Sequence, residues 1–190
     1  MKNKEVFSKD PTSFKIPNDG YTTIQIPNDQ KEWDVLDFEL RSFVCEGEYQ
    51  LGLDRILSTF LANLDKSKQP AVWISGFYGS GKSHLARVLE YLWKDLELPS
   101  GVSARTLVEL PNDISDLLIE LSTAGKREGV LWSAAGTLRD SAGPSVKLAV
   151  LHILFKAAGL PGEYPIAKFV IWLKQNGYYK DVKAHVKNAG

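Results

Sequence analysis

Cysteine is almost absent from this chain, and so is any excess of charge. Cys45 is the one cysteine, which excludes an internal disulfide framework and a cysteine-built zinc site, and which fits a reducing compartment. The 23 basic and 23 acidic residues cancel, so no overall field gathers a polyanion, and contact with DNA would need a local patch. These absences favour a cytoplasmic location.

Long apolar runs are also lacking. Residues 1–10 are charged and have no apolar centre of the kind that a secretory signal peptide carries. The most apolar stretch, Leu148 to Phe155, contains His152 and falls far short of the roughly 20 apolar residues that cross a bilayer. We therefore expect no membrane segment. This stretch is interpreted as a buried helix, with His152 as a satisfied core residue.

A glycine-rich segment, residues 76–83, carries the clearest chemical signal in the chain. It reads Gly76, Phe77, Tyr78, Gly79, Ser80, Gly81, Lys82 and Ser83, which is the P-loop pattern. Glycines let several backbone N–H groups approach one phosphate closely. Lys82 can bridge the β- and γ-phosphates, and the hydroxyl of Ser83 can ligate Mg²⁺. The segment predicts binding of ATP or GTP with Mg²⁺.

His84 directly follows the serine that is assigned to magnesium. It is a further candidate for contact with a phosphate or the metal, with a packed or partly exposed histidine as the favoured alternative. No base-reading motif such as Asn-Lys-x-Asp is present, so the residues leave the choice between adenine and guanine open.

The context of the loop predicts the fold. The apolar run Ala71 to Ser75 is typical of a buried parallel strand, and helical spacing of apolar residues predicts a helix over 82–94. A strand, a glycine-rich loop and a helix in that order predict an α/β fold. We expect a three-layer sandwich of the P-loop NTPase type, incomplete in this chain, with a mostly helical C-terminal part.

Periodicity and turn residues predict the remaining elements. We expect helices over 48–64, from Asn112 or Asp113 to just before Gly125, over 145–158, over 164–175 and from 178 onward, and strands over 21–26 and 130–137. Three regions result: an N-terminal extension with turns and a short strand (1–47), a partial nucleotide-binding core (48–140), and a helical segment that continues into a missing remainder (141–190). Core packing is expected for Trp73, Trp93, Trp132 and Trp172.

The acidic residue that hydrolysis requires is not evident. In this class an Asp or Glu at the end of a second apolar strand holds Mg²⁺ and positions water. The strand predicted at 130–137 contains neither, Asp140 comes after its end, and Glu109 is followed too closely by Pro111. The catalytic residues are therefore unknown. The simplest expectation is an N-terminal piece of a longer ATPase whose acidic strand lies beyond Gly190.

Several short sequence segments around the loop resemble the corresponding segments of a known family. They are Glu32-Trp33-Asp34, Phe43-Val44-Cys45-Glu46-Gly47-Glu48-Tyr49, Ala71 to Leu85 with the loop itself, Ala134-Ala135-Gly136-Thr137 and Tyr164-Pro165. This set resembles the N-terminal region of the large P-loop ATPases of BREX-type bacterial phage-defence systems. The resemblance favours ATP and implies a cytoplasmic multidomain ATPase that acts with a methyltransferase and a phosphatase-like partner against phage DNA.

The resemblance also suggests that Phe43, Val44 and Tyr49 contact the base, with core packing as the favoured alternative. Three functions remain open. The first is the ATP-binding module of a defence ATPase, which couples nucleotide binding or hydrolysis to conformational change in a larger complex. The second is a small phosphotransferase of the kinase type. The third is a nucleotide-binding scaffold that does not hydrolyse.

Overall fold

A computed structural model of the chain describes Pro17, Thr22, Ile24, residues 27–138 and residues 145–189. Asn188 and Ala189 are described by their backbone alone. Eight helices make up the regular structure of these residues: α1 (Gln30–Arg41), α2 (Glu48–Leu61), α3 (Lys82–Lys94), α4 (Ala104–Leu107), α5 (Asn112–Glu128), α6 (Val146–Ala157), α7 (Tyr164–Gln175) and α8 (Tyr179–Ala189). They form two compact units, which divide between Trp132 and Ser133. The first unit holds α1 to α5, and the second holds α6 to α8.

The predicted α/β sandwich is wrong, because the described residues are helical and form no sheet. Their one β-type pairing is an isolated antiparallel bridge between Glu97 and Ser103. Residues 71–75 and 130–137, both predicted as strands, have no regular structure. An apolar run expresses a preference for a strand, but a strand also needs a neighbour about 4.8 Å away to pair with its N–H and C=O groups. The described residues supply no such neighbour.

The run before the loop is also not buried. Trp73 is 90% exposed, and Val72 and Ile74 are exposed as well. Trp132 and Trp172 are about half exposed, whereas Trp93 packs against the core of the first unit. The expectation of core packing therefore holds for Trp93 and is wrong for Trp73. A buried strand lies within a sheet whose two faces are covered by helices. Because this run is in no such sheet, its apolar side chains lack those packing partners.

Helix α1 was not among the predicted elements, although its start is well encoded. The carboxylate of Asp29 accepts a hydrogen bond from the N–H of Glu32 at 2.8 Å, and Glu32 accepts one from the N–H of Asn28 at 2.7 Å. The first of these bonds satisfies an N–H group that the first turn of a helix leaves without a partner, and the second ties the residue before the cap to the same turn. Of the short strand predicted at 21–26, only Thr22 and Ile24 lie within the described residues, and neither is in a strand.

The core of the first unit forms where α2 lies along α5 and α3 contacts α1, α4 and α5. Its largest fully buried apolar side chains come from four helices, and they are Leu36, Leu40, Leu53, Leu57, Val88, Tyr91, Leu92, Ile114, Leu118 and Leu121. Their spacing at three, four and seven residues places each set on one face of its helix. Burial of these apolar faces is what holds the helices together.

Arg105 fixes the C-terminal end of α3. Its guanidinium donates hydrogen bonds to the carbonyl oxygens of Leu92 at 2.7 Å, Trp93 at 3.3 Å and Leu118 at 2.9 Å, and to the hydroxyl of Ser122 at 2.7 Å. The last carbonyls of a helix have no partner within it, so a cation there satisfies them and interacts favourably with the helix dipole. One side chain thus joins α3, α4 and α5.

The predicted bounds of α3 and α7 are confirmed, and those of two other helices need correction. Helix α5 does not end before Gly125 but continues to Glu128, and Gly129 follows it with φ 132°. Gly125 is buried inside the helix, where a Cβ would lie 2.5 Å from Cγ of Leu131. Glycine serves close packing there rather than helix termination. Helix α2 ends at Leu61, one turn earlier than predicted.

The second unit is less deeply packed than its sequence suggests. The stretch from Leu148 to Phe155 was interpreted as buried, but Ala149 is the buried member of α6, and Leu148, Val150 and Leu154 are exposed. His152 is half-buried, and its ring lies against Gly162, where a Cβ would be 2.3 Å away. None of the described helices has both the length and the apolar character needed to cross a membrane.

We expect Arg105→Met to lower the free energy of unfolding by about 2–4 kcal/mol, because four acceptors lose a charged donor. Urea unfolding followed by circular dichroism measures the change. Arg127→Met is the matched control, since the Arg127 side chain is 64% exposed and pairs with Glu128 at the surface; it should leave the free energy of unfolding close to that of the native chain. Equal stability of the two variants would contradict the role of Arg105.

Tyr91 should make stability fall at high pH. Burial, assisted by the nearby charge of Glu90, raises the pKa of Tyr91 to about 12, whereas the phenol of an unfolded chain ionises near pH 10. Between those values the unfolded chain has lost a proton that the folded chain keeps, so the free energy of unfolding decreases as pH rises. We expect a loss of about 2 kcal/mol relative to Tyr91→Phe by pH 12. Parallel pH profiles from urea unfolding of the two proteins would contradict it.

Candidate functional site

The glycine-rich loop, residues 76–81, adopts backbone angles that require glycine. Gly79 has φ 80° and Gly81 has φ 75°, both in the left-handed region that side chains with Cβ atoms resist. The N–H of Ser80 donates to the carbonyl of Phe77 at 3.2 Å, which closes a tight turn. At Gly76 a Cβ would lie 2.7 Å from Oγ of Ser80. The loop closes in this form because these positions lack side chains.

The loop leads directly into the N-terminus of α3. Gly81 is the N-cap, no side chain caps the helix, and the first helical hydrogen bond runs from the N–H of Leu85 to the carbonyl of Gly81 at 2.9 Å. The N–H groups of the first three helical residues, Lys82, Ser83 and His84, therefore have no acceptor within the helix. Free N–H groups and the positive end of the helix dipole favour an anion at this end.

Lys82 places a cation over the same loop. Its Nζ donates to the carbonyl of Phe77 at 2.6 Å and to Oγ of Ser80 at 3.3 Å. Ser83 is exposed at the second position of α3. The ammonium, the hydroxyl and the helical N–H groups thus belong to one short stretch of chain, and they fit a phosphate chain with a divalent cation.

The other candidate residues of the loop differ in exposure. Phe77 and Tyr78 project fully into solvent, at 91% and 106% exposed. His84 turns away from the loop toward α1, because its Nε2 lies 3.0 Å from the carbonyl oxygen of Glu39. A carbonyl only accepts, so Nε2 is the donor. The imidazole also contacts the edge of Phe43, with ring centroids 5.5 Å apart.

A buried ion pair lies one turn below the loop. Nη1 of Arg87 is 3.2 Å from Oε2 of Glu39, and the two side chains are 6% and 2% exposed. The hydroxyl of Thr22 donates to the other carboxylate oxygen of Glu39 at 3.1 Å. Arg87 follows Ser83 by one helical turn, so the pair fixes the start of α3 against α1. Loss of either side chain would leave the other charge buried without its partner, which is costly, whereas the attraction within the pair offsets the cost of taking both charges out of water.

Tyr49, in the first turn of α2, contacts the loop directly. Its hydroxyl donates to the carbonyl oxygen of Ser80 at 2.8 Å. Phe43 is buried in the core and holds the tyrosine ring in an edge contact, with centroids 5.5 Å apart. Val44 is 61% exposed. Of the three residues suggested as base contacts, one is in the core, one touches the loop and one faces solvent.

The described residues contain no group of three or more His, Cys, Asp or Glu side chains that could hold a metal ion. Glu109 is exposed in the segment between α4 and α5, and Asp140 lies outside the described residues. Cys45 is buried, and burial together with the nearby charge of Asp113 raises the pKa of its thiol. A protonated, buried thiol does not act as a nucleophile.

The contacts through Glu39, Arg87 and Tyr49 were not identified from the sequence. Glu39 lies beside the buried Leu36 and Leu40 on α1, and Arg87 lies beside the buried Val88 on α3. A charged residue on each of two apolar faces is the signal that could have paired them. Tyr49 offered no comparable signal, because tyrosine on a helix face is common in cores.

No protein-family model and no solved structure matches this chain. The loop, its supporting helices and their contacts are therefore the basis for a function.

The ion pair should appear as a strong coupling in a double-mutant cycle. We expect Glu39→Leu and Arg87→Leu each to lower the free energy of unfolding by about 3–5 kcal/mol, because each leaves one charge buried without its partner. The double variant should lose far less than the sum of the two. Urea unfolding of all four proteins measures the cycle. Additive losses would mean that the two side chains do not stabilise one another.

Proposed function

We propose that this chain binds ATP with Mg²⁺ through residues 76–84, as the nucleotide-binding module of a bacterial anti-phage defence ATPase. The observation that carries the proposal is the left-handed Gly79 and Gly81 at the start of an uncapped helix, with the ammonium of Lys82 over the loop. These groups together supply the N–H donors and the cation that a triphosphate needs.

Each residue then has a separate task in binding. The N–H groups that follow Gly79 and Gly81 would hold the phosphate chain, and Lys82, which now donates to the carbonyl of Phe77, would turn to the phosphates. Ser83 would hold Mg²⁺ through its hydroxyl. His84 contributes its backbone N–H, since its imidazole is engaged with α1. The exposed Phe77 and Tyr78 flank the opening of the loop.

The role in defence rests on the resemblance of the short sequence segments around the loop to those of the large BREX-type ATPases. In that role the chain works in the cytoplasm, within a larger complex that includes a methyltransferase and a phosphatase-like protein and that acts against phage DNA. Nucleotide binding biases the conformation of attached parts. The zero net charge favours no direct contact of this chain with DNA.

A non-hydrolysing nucleotide-binding scaffold is the second candidate. It is favoured by the lack of an acidic cluster for metal among the described residues. The two functions share the same binding loop and differ in turnover. Steady release of phosphate by the purified protein would exclude the scaffold.

Lys82→Ala should weaken binding of a fluorescent ATP analogue by about 10- to 100-fold, because a charge-assisted contact of 1.5–3 kcal/mol is lost. The measurement is a fluorescence titration in the presence of Mg²⁺, with phosphate release assayed in the same samples and with GTP as a competitor to settle the base. Lys126→Ala, at an exposed position late in α5, is the control and should bind like the native chain. Equal binding by the native chain and Lys82→Ala, or no binding by the native chain, would reject the proposed function.

A further inference from the structure

The hydroxyl of Tyr49 meets the glycine-rich loop at its most constrained point. It donates to the carbonyl of Ser80 at 2.8 Å, and it lies 2.1 Å from the position that a Cβ on Gly81 would occupy. Gly81 is therefore required twice, once by its φ of 75° and once by the tyrosine that lies against it. Tyr49 and Gly81 are thus matched in shape although they lie 32 positions apart in the sequence.

This hydrogen bond orients the peptide between Ser80 and Gly81. In a trans peptide the carbonyl oxygen and the next N–H point in opposite directions. When Tyr49 holds the carbonyl of Ser80 on one side, the N–H of Gly81 points to the other side. That N–H belongs to the series that continues through Lys82 and Ser83 into α3. The hydroxyl thus sets the direction of a donor at the start of the anion-binding end of the helix.

Tyr49 is itself held by the core of the first unit. Its ring is in edge contact with the buried Phe43, and α2 buries Leu53 and Leu57 against the core. The adjacent Gln50 donates to the carboxylate of Asp113 at 2.9 Å, which ties the same turn to α5. The loop, by contrast, follows a segment without regular structure. Among the described residues, the bond from Tyr49 is the one hydrogen bond that joins residues 76–81 to a helix other than α3.

We propose that Tyr49 is a positioning residue for nucleotide binding: its hydroxyl fixes the Ser80–Gly81 peptide so that the N–H of Gly81 faces the β-phosphate. This inference rests on the proposed function of the loop. The inference assigns the effect of Tyr49 on nucleotide binding to its hydroxyl. A contact between its aromatic ring and the nucleotide base would be a different role.

The test compares three variants in titrations with the fluorescent ATP analogue and Mg²⁺. Tyr49→Phe keeps the ring and removes the hydroxyl, and it should weaken binding about five- to tenfold, the range of one lost hydrogen bond. Gln50→Ala releases the same turn of α2 from Asp113 without touching the loop, and it should bind like the native chain. Tyr178→Phe, at a half-exposed tyrosine of the second unit, is the control for loss of a hydroxyl alone.

Amide spectra of the ligand-free proteins provide a readout that a general loss of stability would not move. In Tyr49→Phe the ¹⁵N–¹H signal of Gly81 should shift and its hydrogen exchange should quicken, while the signals of Leu53 and Leu57 keep their positions. In Gln50→Ala the Gly81 signal should stay in place.

The outcomes separate this inference from the function on which it rests. If the native chain does not bind the nucleotide, the proposed function fails and this inference fails with it. If the native chain binds and Tyr49→Phe binds equally well, the positioning role alone is overturned. Equal weakening by Tyr49→Phe and Gln50→Ala would also overturn it, because the effect would then belong to the packing of α2.

Discussion

A buried ion pair between Glu39 and Arg87 joins α1 to α3, the helix that follows the glycine-rich loop. Helix α3 begins at Lys82, directly after the loop, so whatever fixes the first turns of this helix also fixes the C-terminal end of the loop. His84 adds a contact from the same turns to the backbone of α1, and Arg105 satisfies the carbonyls at the other end of α3. Both ends of one helix are thus held by polar side chains in an otherwise apolar core.

The loop has far fewer supports than the helix that follows it. Inside the loop, one turn bond and the ammonium of Lys82 determine its shape, and Tyr49 connects it to α2. The segment before it packs little, as the exposure of Trp73 indicates. Local stability follows the number of buried contacts and protected hydrogen bonds, so small changes at Tyr49 act on the loop before they act on the core. For this reason a substitution can change the conformation of the loop without changing the stability of the first unit.

Binding and hydrolysis are separable for a different physical reason. Binding of a phosphate chain requires N–H donors and a cation, which one continuous stretch of sequence provides in Gly81, Lys82 and Ser83. Hydrolysis requires an acid that reaches the metal from another part of the fold. Among the described residues no cluster of metal-binding side chains serves that purpose.

Local features of the sequence determined the glycine-rich loop and the bounds of α3 and α7, because glycine angles and helical periodicity depend on near neighbours. Helix α1 was predictable too, from Asp29 and Glu32 three residues apart. Tertiary structure alone decided that the run from Ala71 to Ser75 forms no strand, that Gly125 packs inside a helix, and that Tyr49 meets Ser80. Each of these outcomes depends on what lies beside a residue in space. Tyr49 and Gly125 contact residues that lie elsewhere in the sequence, and the described residues provide no strand to pair with residues 71–75.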